Sequence, residues 1–145
     1  MRRALLVAVL LAALAGCGSA SLSARDLRAN ATVVCEHASE RLGRIPQPSS
    51  AAAALPFLRR GVAVLGPELG ALRRLPPPAD LSTSYRATLA EFGTAVQMVD
   101  GTIAVLAHGG DAVASFASLE HALGPIVASE NTGWRTLQIA ACVSR

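Results

Sequence analysis

One long stretch decides the fold: residues 79–107, which read ADLSTSYRATLAEFGTAVQMVDGTIAVLA. Its large apolar residues recur at intervals of three and four, the period of one face of an α-helix: Leu81, Tyr85, Leu89, Phe92, Val96, Val99, Ile103 and Leu106. We expect a helix over Ala79–Ala107, about 44 Å long, with Asp80 or Ser82 capping its start. Gly109-Gly110 should end it, and Asp111 should cap the next helix.

Three further segments repeat this period. The first helix is expected to begin after Ser23 and to end near Gly43, with a core stripe of Leu27, Ala31, Val34, Ala38 and Leu42. The second should run from about Ser50 to Leu75, with a kink or two abutting segments at Gly66-Pro67, and it carries Leu55, Leu58, Val62, Leu65, Leu69 and Leu72. The fourth is expected to bend at Gly124-Pro125 and to end at Asn131-Thr132-Gly133, and it carries Val113, Phe116, Leu119, Leu123 and Ile126.

Prolines separate these segments. Pro46 and Pro48 predict a linker after the first helix, and the run Pro76-Pro77-Pro78 predicts an extended break before the third. The chain shows no sustained two-residue alternation, so we expect no sheet. Four helices with brief connections predict an all-α fold, an up-and-down four-helix bundle.

The N-terminus predicts export and a lipid anchor. Arg2 and Arg3 precede an apolar run over residues 4–15, too short to span a bilayer. The run ends in Leu14-Ala15-Gly16-Cys17, which matches the bacterial lipobox at all four positions. We therefore expect a lipoprotein signal peptide at 1–16, a lipidated Cys17 with a tether over 17–23, and a domain over 24–145. The alternative is ordinary cleavage after Ala13-Leu14-Ala15, which would release a soluble protein.

Two cysteines remain if Cys17 carries lipid. Cys35 lies beside the core stripe of the first helix, and Cys142 lies near the C-terminus. In an oxidising compartment the default expectation for an even pair is a disulfide bridge. The alternative is two unrelated buried thiols, because free cysteine is often a small core residue.

Charge gives little indication of a partner. The chain has 13 arginines, no lysine and 10 acidic residues. Removal of Arg2 and Arg3 with the signal would leave a nearly balanced charge. The arginines occur in pairs or beside acids rather than in one patch of the sequence, and we expect no nucleic-acid binding.

The combined pattern resembles small helical lipoproteins and secreted proteins of high-GC Gram-positive bacteria, mostly of unknown function. The resemblance rests on the lipobox, Cys35, Leu75-Pro76-Pro77 and the ending Leu137-Gln138-Ile139-Ala140-Ala141-Cys142. In that group the ending often reads Leu-Gly-Leu-x-x-Cys, so Gln138 and Ile139 depart from it. The resemblance implies the four-helix fold and a Cys35–Cys142 bridge. It implies no activity and no catalytic residues.

A search for chemistry yields no catalytic set. His37 lies near two glutamates, and His121 lacks a partner one turn away. The stretch His108-Gly109-Gly110-Asp111 can be interpreted as a metal or anion loop, but a C-cap followed by an N-cap accounts for it fully. No nucleophile elbow, C-x-x-C pair or phosphate loop is present. We expect no metal site, no cofactor and no enzymatic activity.

Two features bear on binding. Trp134 is the only tryptophan, and we expect it to cover one end of the bundle rather than to form a ligand platform. Helix faces rich in alanine and glycine favour close packing, unless kinks at Pro67 and Pro125 open an apolar pocket. We therefore expect a non-enzymatic, lipid-anchored module on the extracytoplasmic face of the cell membrane that binds an envelope protein or has a structural role. The alternative is a carrier or sensor of an apolar, lipid-like ligand inside the bundle.

Overall fold

A computed structural model describes residues 21–143 and is all-helical over that range. Its elements are α1 (Ala24–Gly43), a short 3₁₀ turn (Ala51–Ala53), α2 (Ala54–Arg73), α3 (Ala79–Ala107), α4 (Ala112–Thr136) and a C-terminal 3₁₀ turn (Ala140–Cys142). The four predicted helices are therefore confirmed, and the bounds of α3 are those predicted. The predicted signal peptide and the predicted lipidation site, Cys17, lie outside the described residues.

The helices form an up-and-down bundle. α3 packs against α2 and α4, and α1 packs against α2, whereas α1 and α4 have little direct contact. The C-terminal turn fills the side between them by packing on both. A disulfide between Cys35 of α1 and Cys142, with Cα atoms 5.1 Å apart, holds that turn in place. The predicted bridge thus closes the fourth side of the bundle.

One end of the bundle gathers the starts of α1 and α3 and the ends of α2 and α4. Three hydrogen bonds join these parts: Leu22 N to Pro76 O at 2.9 Å, Arg28 Nε to Leu137 O at 2.9 Å, and Tyr85 Oη to Leu72 O at 2.9 Å. We call this end the tether end, because the chain enters the bundle here. The opposite end, at the turn between α3 and α4, is the distal end.

Local caps follow the sequence with one exception. Ser23 Oγ accepts a hydrogen bond from Asp26 N at 3.1 Å, and an oxygen of the Asp111 carboxylate accepts one from Ala114 N at 2.8 Å. Gly109 adopts a φ of 84° at the end of α3, the left-handed conformation that glycine tolerates. α3 itself begins after Pro78 without a side-chain cap, so neither Asp80 nor Ser82 has the capping role predicted.

α4 continues one turn beyond its predicted end, through Thr136. It closes in a Schellman motif, in which Ile139 N donates to Trp134 O at 3.0 Å and Gln138 N donates to Arg135 O at 3.0 Å. Gln138 takes the left-handed position with a φ of 60°.

The prolines inside helices do not end them. α2 continues through Pro67 and α4 through Pro125. Proline has no N–H group, so Pro67 leaves the carbonyl of Ala63, four residues earlier, without its helical donor. Arg41 of α1 donates to this carbonyl oxygen from Nη2 at 3.4 Å. A contact between helices thus replaces the hydrogen bond that proline removes.

The hydrophobic core is concentrated toward the tether end. Its buried residues are Leu27, Ala31, Cys35, Leu69, Leu72, Tyr85, Leu89, Phe92, Val96, Trp134, Leu137, Ile139 and Cys142. The apolar stripe of α3 continues beyond this core, but Val99, Ile103 and Leu106 are only half-buried. The reason is length: α1 and α2 have 20 residues each, against 29 in α3 and 25 in α4. The sequence pattern therefore predicts more core than the structure contains.

Candidate functional site

A polar network lies inside the bundle near the tether end. Trp134 is fully buried, and its Nε1 donates a hydrogen bond to Glu130 Oε1 at 2.8 Å. The Tyr85 ring meets the indole edge-on, with ring centroids 6.0 Å apart. Burial raises the pKa of Tyr85 above its ordinary value. Trp134 is thus a central core residue, and its predicted position at the rim of the bundle is wrong because α4 extends past it.

Two carboxylates are buried among the described residues, Glu68 of α2 and Glu130 of α4. The burial of these two side chains was not predicted from the sequence. A glutamate next to an apolar helical stripe is usually solvated, and only the packing of the helices shows that these two are covered. Glu130 has one sequence signal that could have indicated its role: Trp134 follows four residues later, at the spacing of helix-surface neighbours.

A cavity of about 170 Å³ adjoins Glu130 between α2, α3 and α4. Its walls are mainly apolar and include Leu65, Phe92, Val96 and Leu123, with Asn131 beside Glu130 at the polar side. Ligand pockets for drug-sized molecules usually measure about 300–1,000 Å³. This cavity can therefore hold a small apolar group or one end of a slender molecule.

The histidines do not meet at a site. His37 and His121 are exposed, and Nδ1 of His108 lies 2.8 Å from Ala104 O in the C-terminal cap of α3. Residues 108–111 form the predicted pair of caps between two helices. Within residues 21–143, no group of three or more histidine, cysteine, aspartate or glutamate side chains could hold a metal ion.

The distal half of the α3–α4 hairpin has an apolar and acidic surface. Val105 and Val113 are 53% and 74% exposed. No arginine or lysine occurs over residues 87–134, whereas Asp100, Asp111 and Glu120 are exposed there. We call this region, residues 97–128, the distal surface. Exposed apolar side chains among charges of one sign are typical of interaction surfaces.

The fold collects arginines that the sequence spreads out. Six of them lie in the parts of the helices nearest the tether end: Arg25, Arg28, Arg73, Arg74, Arg86 and Arg135. Asp26 and Asp80 are the carboxylates of the first turns there. The tether end therefore carries an excess of positive charge. The sequence predicted no arginine patch, and the antiparallel helices create one.

α3 is also long and apolar enough to cross a membrane by length and composition, with a mean hydropathy of 1.2 over its best window. The core helix of a soluble protein passes the same test. The half of α3 near the tether end packs against α2 and α4 with Tyr85, Leu89, Phe92 and Val96 buried. We therefore describe α3 as a helix of the bundle.

Comparisons of the chain with protein-family models, curated proteins and solved structures found no match. The fold and the surfaces described above are thus the basis for any functional conclusion.

Proposed function

We propose that this protein is a non-enzymatic, lipid-anchored helical module on the extracytoplasmic face of the cell membrane, and that its distal surface binds a partner protein. The observation that carries the proposal is the half-buried apolar stripe in the distal part of α3. Val99, Ile103 and Leu106 continue the core pattern but are only half-buried, and Val105, on the side of α3 next to α4, is exposed. A partner helix laid along this stripe would complete its burial.

The charge of the distal surface defines the chemistry of that partner. With Asp100, Asp111 and Glu120 exposed and no arginine or lysine within residues 97–128, the surface attracts a positive partner. We infer a protein face that presents apolar side chains flanked by lysine or arginine. Association with such a face should weaken as the salt concentration rises.

The position of the tether supports this arrangement. The described chain enters at the tether end, where Leu22 bonds to Pro76. α3 runs from that end to the distal end over 29 residues, about 44 Å. An anchor at Cys17 would therefore place the distal surface away from the membrane and accessible to a second protein.

Site-specific photo-crosslinking in intact cells tests the distal surface. A photoreactive amino acid replaces Val105, and a matched control replaces Val33 of α1, which is 50% exposed against 53% for Val105. We expect one discrete protein adduct from position 105 and none from position 33. The adduct partner must carry a basic and apolar helix face. Its affinity for the purified protein should fall at least tenfold with Val105→Arg and should stay within twofold with Val33→Arg.

Equal adducts from both positions, or no adduct at position 105, would refute the distal surface as the binding site. The anchor is tested separately by the intact mass of the membrane-extracted chain. We expect an N-terminus at Cys17 carrying a diacylglyceryl group, and release of the Cys17→Ser variant from the membrane. An unmodified thiol at Cys17 would refute lipidation.

The cavity beside Glu130 supports a second candidate, a carrier or sensor of an apolar ligand. Its leucine, valine and phenylalanine walls suit a hydrocarbon group. Native mass spectrometry of the exported protein tests this function. An added mass lost on denaturation supports it, provided that Val96→Trp, which fills the cavity, abolishes the added mass. A native mass equal to that of the protein alone, measured after extraction from native membranes, argues against this function.

A further inference from the structure

At the tether end a surface pocket of about 490 Å³ lies between the end of α2 and the first turns of α3. Three exposed arginines line it: Arg73 and Arg74 from α2 and Arg86 from α3. Its remaining wall is apolar and includes Leu75, Pro76 and Leu89. The pocket thus combines three positive charges with an apolar strip.

These arginines have no carboxylate partner within the described residues. Within residues 21–143 an ion pair does form between Arg44 and Glu40, at 3.9 Å, but it lies at the end of α1 and not at the pocket. Three guanidinium groups around one pocket repel each other, and an anion bound between them would relieve this repulsion. Guanidinium groups match the oxygens of a phosphate with paired hydrogen bonds.

The backbone of α3 is shaped to admit Arg73. A Cβ atom added at Gly93 would lie 2.8 Å from Arg73 Nη2. Glycine at this position therefore lets the guanidinium lie directly against α3, where it faces the same pocket as Arg86. The Arg73 side chain is exposed overall, but its guanidinium lies beside α3 at the pocket.

The pocket also lies close to the point where the chain enters the bundle. Leu22 N donates to the carbonyl oxygen of Pro76, a residue of the pocket wall, at 2.9 Å. Cys17 precedes Leu22 by five residues, a span of at most about 18 Å when extended. This step rests on the proposed function: lipid on Cys17 would hold the pocket at the membrane surface.

We propose that this pocket binds the phosphate headgroup of an anionic membrane phospholipid. The three arginines would contact the phosphate, and Leu75, Pro76 and Leu89 would cover the glycerol backbone. Bound in this way, the bundle stands on its tether end, with the distal surface and its exposed Asp100, Asp111 and Glu120 away from the anionic membrane surface. Each arginine near such a surface strengthens binding about fivefold.

The test uses the full chain with Cys17→Ser, which removes the proposed acyl anchor so that binding reports the pocket alone. Co-flotation is measured with vesicles of phosphatidylglycerol and phosphatidylcholine and with vesicles of phosphatidylcholine alone. We expect binding to the anionic vesicles and about a thirtyfold loss with Arg73→Gln/Arg74→Gln. The matched control is Arg59→Gln/Arg60→Gln, an exposed pair on the same helix outside the pocket, which should change binding less than fivefold.

Equal losses from the two arginine pairs would show diffuse attraction and overturn the pocket. Absence of binding to anionic vesicles would overturn it as well. A separate titration with glycerol 3-phosphate distinguishes a lipid from a free phosphate compound: micromolar binding in solution without vesicle binding would overturn the lipid source. Circular dichroism of each variant confirms that the helices remain folded. The lipid anchor is tested separately by the intact mass of the membrane-extracted chain. Failure of the vesicle test therefore does not decide whether Cys17 carries lipid.

Discussion

Two glycines of the α3–α4 hairpin offer the same substitution with opposite expected effects. At Gly133 of α4 an added Cβ atom would lie 3.0 Å from Thr88 Cγ2 and closer still to Thr88 Oγ1. At Gly101 of α3 an added Cβ atom meets nothing within 4 Å. Both positions lie inside helices and neither precedes a proline, so alanine brings a similar gain in helix propensity at each, about 0.5–1 kcal/mol. The difference between the two variants therefore isolates the contact between α3 and α4 at Gly133.

The expected magnitudes follow from that contact. Gly101→Ala should raise the free energy of unfolding by about 0.5–1 kcal/mol. Gly133→Ala gains the same propensity but overpacks the interface, which typically costs about 1–3 kcal/mol. Thr88 is buried, and its hydroxyl already donates to Ser84 O at 2.8 Å, so its side chain has little room to move. We expect Gly133→Ala to be less stable than Gly101→Ala by about 2 kcal/mol.

Urea unfolding followed by the fluorescence of the single tryptophan, Trp134, provides the assay, because the indole is fully buried in the folded state. A second comparison places Gly133→Ala in a Thr88→Ala background. Removing the threonine hydroxyl and methyl should recover at least half of the penalty. If Gly133→Ala proves as stable as Gly101→Ala, the close approach of α3 and α4 at Gly133 is refuted.

Three further outcomes are expected. Cys142→Ser should lower the free energy of unfolding by about 4–5 kcal/mol, because the bridge to Cys35 closes a 107-residue separation. In this variant Cys35 should become reactive to alkylation once the C-terminal turn opens. Alkylation of both cysteines in the unreduced wild type would contradict the bridge. Gln138→Gly should raise the melting temperature, with a gain of about 0.5–1 kcal/mol, since Gln138 has a φ of 60°; an unchanged or lower melting temperature would contradict a strained cap. Burial raises the pKa of Tyr85 above its ordinary value of 10.0, so its contribution to stability should be complete below pH 10 and fall as the pH rises further. Lysine and tyrosine side chains ordinarily titrate near pH 10, and this chain has no lysine and one tyrosine. Urea unfolding at pH 8 and pH 11 should therefore show the loss of stability in the wild type and a smaller loss in Tyr85→Phe.

Some elements of the fold could be predicted closely because their causes are local. The bounds of α3 follow from its apolar period, from the Pro76-Pro77-Pro78 break and from Gly109. The N-caps at Ser23 and Asp111 follow from side chains that reach amides three residues later. None of these signals depends on a distant part of the chain.

Other features depend on contacts between distant parts of the chain, which local patterns do not show. The donor that takes the place of the hydrogen bond lost at Pro67 is Arg41 of α1, which bonds to the freed carbonyl of Ala63. The buried positions of Glu68 and Trp134 require neighbouring helices to cover them. Periodicity indicates which face of a helix is apolar, but not how far a neighbour extends along it.

The sequence by itself determined the number of helices, most of their ends, the cysteines available for a bridge and the lipobox pattern at Cys17, because capping groups, prolines and helical periods act within a few residues. Only the tertiary structure decided where the core stops, which carboxylates are buried and where charge accumulates. Antiparallel packing brings the starts of some helices next to the ends of others. Arginines of different helices, among them Arg25 of α1 and Arg135 of α4, therefore lie at the same end of the bundle. The packing also leaves the distal stripe of the longest helix only half-buried, because the two shorter helices end before it does.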